Sequence, residues 1–269
     1  VPLGTNWPGH GTWVVEHAMR ATHEYLRGHL DVSATGYEGV AIRLRTSPSQ
    51  VRIMNEAIVA TLHAQRGDHA AACELLEGVE SLPADALVLF RWWIDRAKVW
   101  TAAAEGSVST AVQLSLDLAR RHAGEHFYTT ISLHDVVRLG RAELVVDALA
   151  AAASRQGATW LDERCAEHAR AAASHDGAAL LDLAERFERG GLDLLALESA
   201  AQAVAATSDR RPVLLADAER CVERLRGRCG SVATPAMRTE PSPLTARELE
   251  VAALAGRGLS NAEIGERLG

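Results

Sequence analysis

A spacing of small residues occurs twice in this chain, and it leaves few folds open. Ala60, Gly67, Asp68, Ala72 and Leu76 have the same separations as Ala184, Gly191, Leu192, Ala196 and Ala200. Small side chains at such positions let two antiparallel helices approach closely, and the glycine between them takes a tight turn. A looser copy runs through Leu133, Gly140, Val145 and Leu149, and the second copy extends over Leu180, Leu183, Phe187 and Ala203. Aromatics are only 4% of the residues, and β-branched residues rarely cluster, so nearly the whole sequence reads as helix. The expected fold class is all-α, built from stacked antiparallel helical hairpins. Helices are expected near 12–28, 50–66, 68–79, 84–104, 107–122, 125–138, 141–154, 157–173, 175–189, 191–206, 210–227, 245–257 and 260–268.

The repeated spacing resembles the tetratricopeptide repeat, whose helix pairs of about 34 residues stack into a superhelix. The tryptophan, tyrosine and proline positions of that family match poorly and the copies are unevenly spaced. An irregular stack is therefore expected over 1–229, with an Ala/Leu-rich bundle lacking a true repeat as the simpler alternative. Gly230 to Pro243 contains Pro235, Pro241 and Pro243, which withdraw backbone donors, so 230–243 reads as an extended linker. The opening stretch through Gly11, rich in proline and glycine, reads as a loop or a severed end. Because Val1 is no start methionine and Gly269 falls inside a motif, the chain is expected to be an internal piece of a longer polypeptide.

Leu244 to Gly269 announces two short helices. Thr245 with Glu248, and Ser260 with Glu263, are capping boxes, each a hydroxyl followed three residues later by a carboxylate. Gly258 sits where the first helix must stop. Val251, Leu254, Leu259, Ile264 and Leu268 supply a shared apolar face. This is the front half of a helix-turn-helix. In order and spacing, Leu244, Thr245, Arg247, Glu248, Glu250, Val251, Leu254, Gly258, Ser260, Asn261, Glu263, Ile264 and Leu268 closely resemble the DNA-binding domain of LuxR-type transcription regulators. Gly265 departs from the alanine usual there, at a cost of about 1 kcal/mol in helix propensity. The resemblance implies a third helix, beyond Gly269, that reads the major groove. It assigns Thr245, Arg247, Ser260, Asn261 and Glu263 to the phosphate-facing or supporting edge. Val251, Leu254, Gly258, Ile264 and Leu268 become the scaffold. Resemblance to the ATP-dependent, maltose-regulator-like branch implies an ATPase domain upstream, an inducer or protein partner at the helical repeats, and self-association.

Charge tempers this reading. The chain carries a net −7, and within 244–269 three arginines face four glutamates, so general electrostatic attraction to nucleic acid is not expected. No phosphate-binding loop ending in Gly-Lys-Ser/Thr surrounds Lys98, the only lysine, so no cofactor is expected in this chain. His122 and His126 are four apart, but Gly124 between them makes a helix end the better reading than a metal site. His134 and Asp135 read as an isolated pair forming surface or interhelix hydrogen bonds. No converging set of ionisable groups suggests an enzyme. Cys73, Cys165, Cys221 and Cys229 lack metal-binding spacing and suit buried thiols in a reducing cytoplasm. Neither a secretory signal nor an apolar run of the roughly 20 residues that cross a bilayer is seen.

Trp92, Trp93 and Trp100 lie on one expected helix, with Trp93 and Trp100 on one face. Packing between hairpins is the plain reading. A partner groove anchored by Trp93 and Trp100 is the functional one. The arginines from Arg220 to Arg228, interleaved with acids, read as a solvated helix face. The competing function is a helical-repeat interaction adaptor with no DNA-binding role.

Overall fold

The computed structural model describes residues 10–44, 50–77, 88–207, 210–237 and 246–268. Among them the chain is all helical, with no strand. The helices are α1 (His10–Arg27), α2 (Leu30–Leu44), α3 (Gln50–Gln65), α4 (His69–Glu77), α5 (Val88–Glu105), α6 (Val108–Arg121) and α7 (His126–Arg138). They continue as α8 (Val146–Ser154), α9 (Trp160–Ala173), α10 (Gly177–Arg189), α11 (Asp193–Ala206), α12 (Pro212–Cys229), α13 (Ala246–Gly256) and α14 (Asn261–Leu268). Single 3-10 turns precede α8 and follow α12.

Consecutive helices pack as antiparallel neighbours, as the repeated spacing requires. Ala60 and Ala72, and Ala184, Ala196 and Ala200, are fully buried where helices α3 and α4, and α10 and α11, meet. The glycines between them hold left-handed backbone, with φ of +85° at Gly67 and +75° at Gly191. Gly140, in the looser copy, does the same at +82°. The hairpin cores are mostly alanine, leucine and valine, with single rings such as Tyr37, Trp100 and Phe187 among them.

One helix was not expected. The sequence reading leaves 29–49 without helix, since Gly36 and Gly39 weaken it, yet α2 runs through both. Tertiary packing overrides propensity here: Leu30, Ala34, Tyr37, Val40 and Leu44 form a buried stripe at helical spacing. At Gly36 a Cβ would come within 3.0 Å of the Ala21 Cβ, so the glycine lets α1 lie close.

The stack curls far enough for its first hairpin to meet α11. Gly28, between α1 and α2, has φ of +86°, and a Cβ there would stand 2.3 Å from the Leu194 backbone nitrogen. Gly140→Ala meets open space and carries only the left-handed penalty, about 1–2 kcal/mol. Gly28→Ala adds a backbone collision, so its expected loss is about 2–3 kcal/mol. Denaturant midpoints of the two variants test this, and equal losses would show that the contact with α11 contributes nothing.

Residues 231–237, expected as extended linker, are non-helical apart from the turn Pro235–Met237, as their proline demands. They are also folded into the body. The Ala233 N–H donates to the Gln65 carbonyl at 2.8 Å, and the buried Thr234 hydroxyl donates to Glu198 Oε1 at 2.7 Å. Residues 238–243 and Thr245 lie outside the described residues.

Candidate functional site

Helices α13 and α14 form the expected pair. The Ser260 backbone N–H donates to Glu263 Oε2 at 2.8 Å, and the Glu263 N–H donates back to Ser260 Oγ at 3.4 Å. The Ser260 hydroxyl also donates to Glu263 Oε2, at 2.7 Å, and this bond, with that from the Ser260 N–H, holds the Glu263 carboxyl below its ordinary range. Gly258 is left-handed at φ +86°, ending α13 as required. Leu254 of α13 and Ile264 of α14 are buried and Leu268 is half-buried, whereas Val251 is 39% exposed. Ser260 and Asn261 are exposed on the edge assigned to phosphate.

The arginines of this pair, though exposed, are engaged with neighbouring helices. Arg247 donates to the Leu268 carbonyl at 2.6 Å, tying the start of α13 to the end of α14. Arg257 donates to the Ala104 carbonyl at 2.7 Å, at the C-terminal end of α5, and Arg267 pairs with Glu105. The carboxylate of Glu250 accepts from the backbone N–H and, at 2.9 Å, from the hydroxyl of Ser109 in the first turn of α6. A cation thus meets the carbonyl end of one helix and an anion meets the amide end of the next, the polarity each terminus favours. The turn between α5 and α6 is a docking point for the pair.

A second constellation lies at the centre of the curl. Arg96 of α5 makes a bidentate pair with Asp135 of α7, at 2.6 and 3.0 Å. Arg138 donates to Asp135 Oδ1 at 3.0 Å and makes its own bidentate pair with Glu198 of α11, at 2.6 and 3.0 Å. All four are buried. Two guanidinium groups against two carboxylates leave no net charge, and the paired carboxylates hold both arginines above their ordinary pKa. Arg96 also donates to the Tyr25 hydroxyl at 2.7 Å, and the Arg138 guanidinium lies 4.4 Å from the Trp100 ring centre.

No protein-family model, curated protein or solved structure matches this chain.

Beside the charge network, His134 and His168 are buried 2.9 Å apart, and His168 stands 2.6 Å from Gln202 Oε1. Since that amide oxygen only accepts, His168 Nε2 carries the proton, and its Nδ1 accepts from His134 Nε2–H. Burial holds both rings well below the ordinary histidine pKa, His168 at about 4. The pair expected of His134 and Asp135 is an interhelix arrangement, then, but a buried one.

Over this floor lies a cavity of about 210 Å³ with predominantly apolar walls. Trp92 and Trp93 of α5, Phe127 and Ile131 of α7, Leu26 of α1 and Leu161 of α9 line it. Trp93 is one of the residues lining this cavity. Trp100 does not share it: that ring is fully buried among Val99, Ala103 and Val136, as plain packing would have it.

The other residues singled out in the sequence lie elsewhere. His122 closes α6 with Nδ1 3.1 Å from Glu125, and no group of three or more metal-binding side chains occurs among the described residues. All four cysteines are free, and Cys165, Cys221 and Cys229 are buried. Arg220 pairs with Asp217, and Arg224 and Arg228 with Glu188, on a solvated charged face. Among the described residues, no helix is long and apolar enough to cross a membrane.

Proposed function

We propose that the chain is part of a LuxR-type transcription regulator, with a helical receptor region, a connecting segment and the scaffold half of a helix-turn-helix. The observation that carries this reading is the α13–α14 pair, with its capping box at Ser260 and Glu263, its left-handed Gly258 and its buried Leu254 and Ile264. In this reading α14 braces a following helix in the major groove, and the exposed Ser260 and Asn261 approach a phosphate at the positive end of α14. An inducer or partner engages the helical stack, self-association accompanies activation, and ATP belongs to a domain upstream. Such a protein works in the cytoplasm.

The docking of α13 and α14 supports a second reading, a helical-repeat interaction protein whose last helices merely cap the stack. Arg257 and Arg267, engaged with α5, and Arg247, engaged with α14, are then structural.

DNA titration separates the two. The 269-residue chain is expected to bind labelled promoter no better than random duplex, with weak affinity that falls as salt rises. A chain extended by about 40 residues of the natural sequence after Gly269, enough for the reading helix, is expected to discriminate at least a hundredfold. A stop codon or an unpatterned tail within that stretch, or equal specificity of the two chains, overturns the regulator reading.

A further inference from the structure

We propose that the central cavity binds a small, uncharged, planar aromatic molecule of one or two rings bearing a hydrogen-bond acceptor. The inference names the class of signal and rests on the receptor half of the regulator reading, though not on DNA binding. Size comes first. A cavity of roughly 150 Å³ holds a benzene, so the 210 Å³ here accommodates one ring or two fused ones. Shape follows from the walls, because the rings of Trp93 and Phe127 border one space, with the fully buried Trp92 packed against both. At its mouth Leu26 is 54% and Phe127 58% exposed, so apolar area remains for a ligand to cover.

Charge decides what is refused. Arg96 and Arg138 look like anchors for an anion, but both are committed to Asp135 and Glu198 through bidentate pairs. An entering anion or cation would lose its water without gaining a counter-ion. One hydrogen-bond donor does remain available. The Tyr25 hydroxyl, in a largely buried side chain lining the cavity, accepts from Arg96 at 2.7 Å and from Gln65 at 3.4 Å. Both contacts use its oxygen, which leaves its proton to donate to a carbonyl or ether oxygen on the ligand.

Calorimetric titration of the full chain at pH 7 tests this with three probes: coumarin, naphthalene and naphthalene-2-carboxylate. Coumarin is expected to bind one-to-one with a Kd on the order of 10–100 µM, and the carboxylate at least about tenfold more weakly. Tyr25→Phe is expected to weaken coumarin about tenfold while leaving naphthalene unchanged. Ile131→Trp fills the space and abolishes binding of both, with helix content by circular dichroism showing whether it folds. Should that variant unfold, Tyr25→Phe decides alone. No coumarin binding, equal binding of the carboxylate, a loss of both neutral probes in Tyr25→Phe, or unaltered binding by folded Ile131→Trp overturns the proposal. Since no DNA is present, this result and the DNA titration can fail independently.

Discussion

Asp135→Ala is expected to cost about 3–5 kcal/mol of stability, the largest loss of any single substitution considered for this chain. Asp135 is the shared carboxylate of the central network, bonded to Arg96 through both oxygens and to Arg138 through one. Without it two buried guanidinium groups face a single carboxylate, Glu198, and one charge is left without either water or partner. At about 2–4 °C per kcal/mol for a chain of this size, the melting temperature falls by roughly 10–15 °C. Exposure sets the contrast: Asp117→Ala, which removes an exposed pair with Arg120, should leave the midpoint within about 2 °C. A double variant, Arg96→Met with Asp135→Leu, removes a neutral pair and keeps Arg138 on Glu198. It is expected to be more stable than Asp135→Ala alone, because most of the loss comes from the stranded charge rather than from the pair. Thermal unfolding followed by circular dichroism measures all three. If Asp135→Ala melts with Asp117→Ala, the network is not the electrostatic keystone its burial implies.

That network shows where sequence reading stops. Helix α3, α5 and α11 were legible because their signals are local: apolar spacing, and a glycine or a loop at each end. Gly67, Gly140 and Gly191 take the left-handed turns their positions required. Helix α2 was lost because propensity penalises Gly36 and Gly39, whereas packing against Ala21 rewards the first of them. The central pairs join residues 39 and 60 positions apart, and no window of a single sequence relates them. A weaker signal was present. Arg96 sits between Ile94 and Ala97, Arg138 beside Val136 and Val137, and Glu198 between Leu197 and Ala200, all positions where a charge interrupts a buried face. With Asp135, which sits directly before Val136, these make two basic and two acidic interruptions, which hint at mutual pairing without saying which joins which. The tryptophans divided for a similar reason. Heptad spacing places Trp93 and Trp100 on one face but does not say where along the helix that face leaves the core and meets the cavity. At the C-terminus the Ser260–Glu263 capping box and Gly258 could be read from spacing, while the docking of Glu250 and Arg257 on the α5–α6 turn depends on residues more than a hundred positions away.

Acid is expected to unfold this protein earlier than its carboxylates alone would dictate, because His134 and His168 fold in their neutral forms. In the unfolded chain both titrate near pH 6.5, whereas in the fold His168 titrates at about 4 and His134 well below the ordinary value. Desolvation is the main cause for each. For His134, the positive charges of Arg138 and Arg96 and a protonated His168 push the same way, whereas Gln202 and Glu198 partly oppose it at His168. Below pH 6.5 the unfolded chain therefore binds more protons than the folded one, and stability rises with pH through that window. The full contribution is present above about pH 6.5 and erodes as pH falls, until His168 itself charges near pH 4. At pH 5 each ring kept neutral costs about 2 kcal/mol, so the pair costs about 4. Urea unfolding at pH 7 and pH 5 reads this directly. His168→Gln, which keeps a donor and an acceptor near Gln202 and His134 but cannot charge, is expected to begin less stable at pH 7 and to lose about 2 kcal/mol less on acidification. An identical pH slope in the variant and the parent would place the acid sensitivity in the carboxylates instead. Protonation at the floor of the cavity also removes its electrical neutrality, so occupancy by an uncharged ligand and retention of the neutral histidines should reinforce each other.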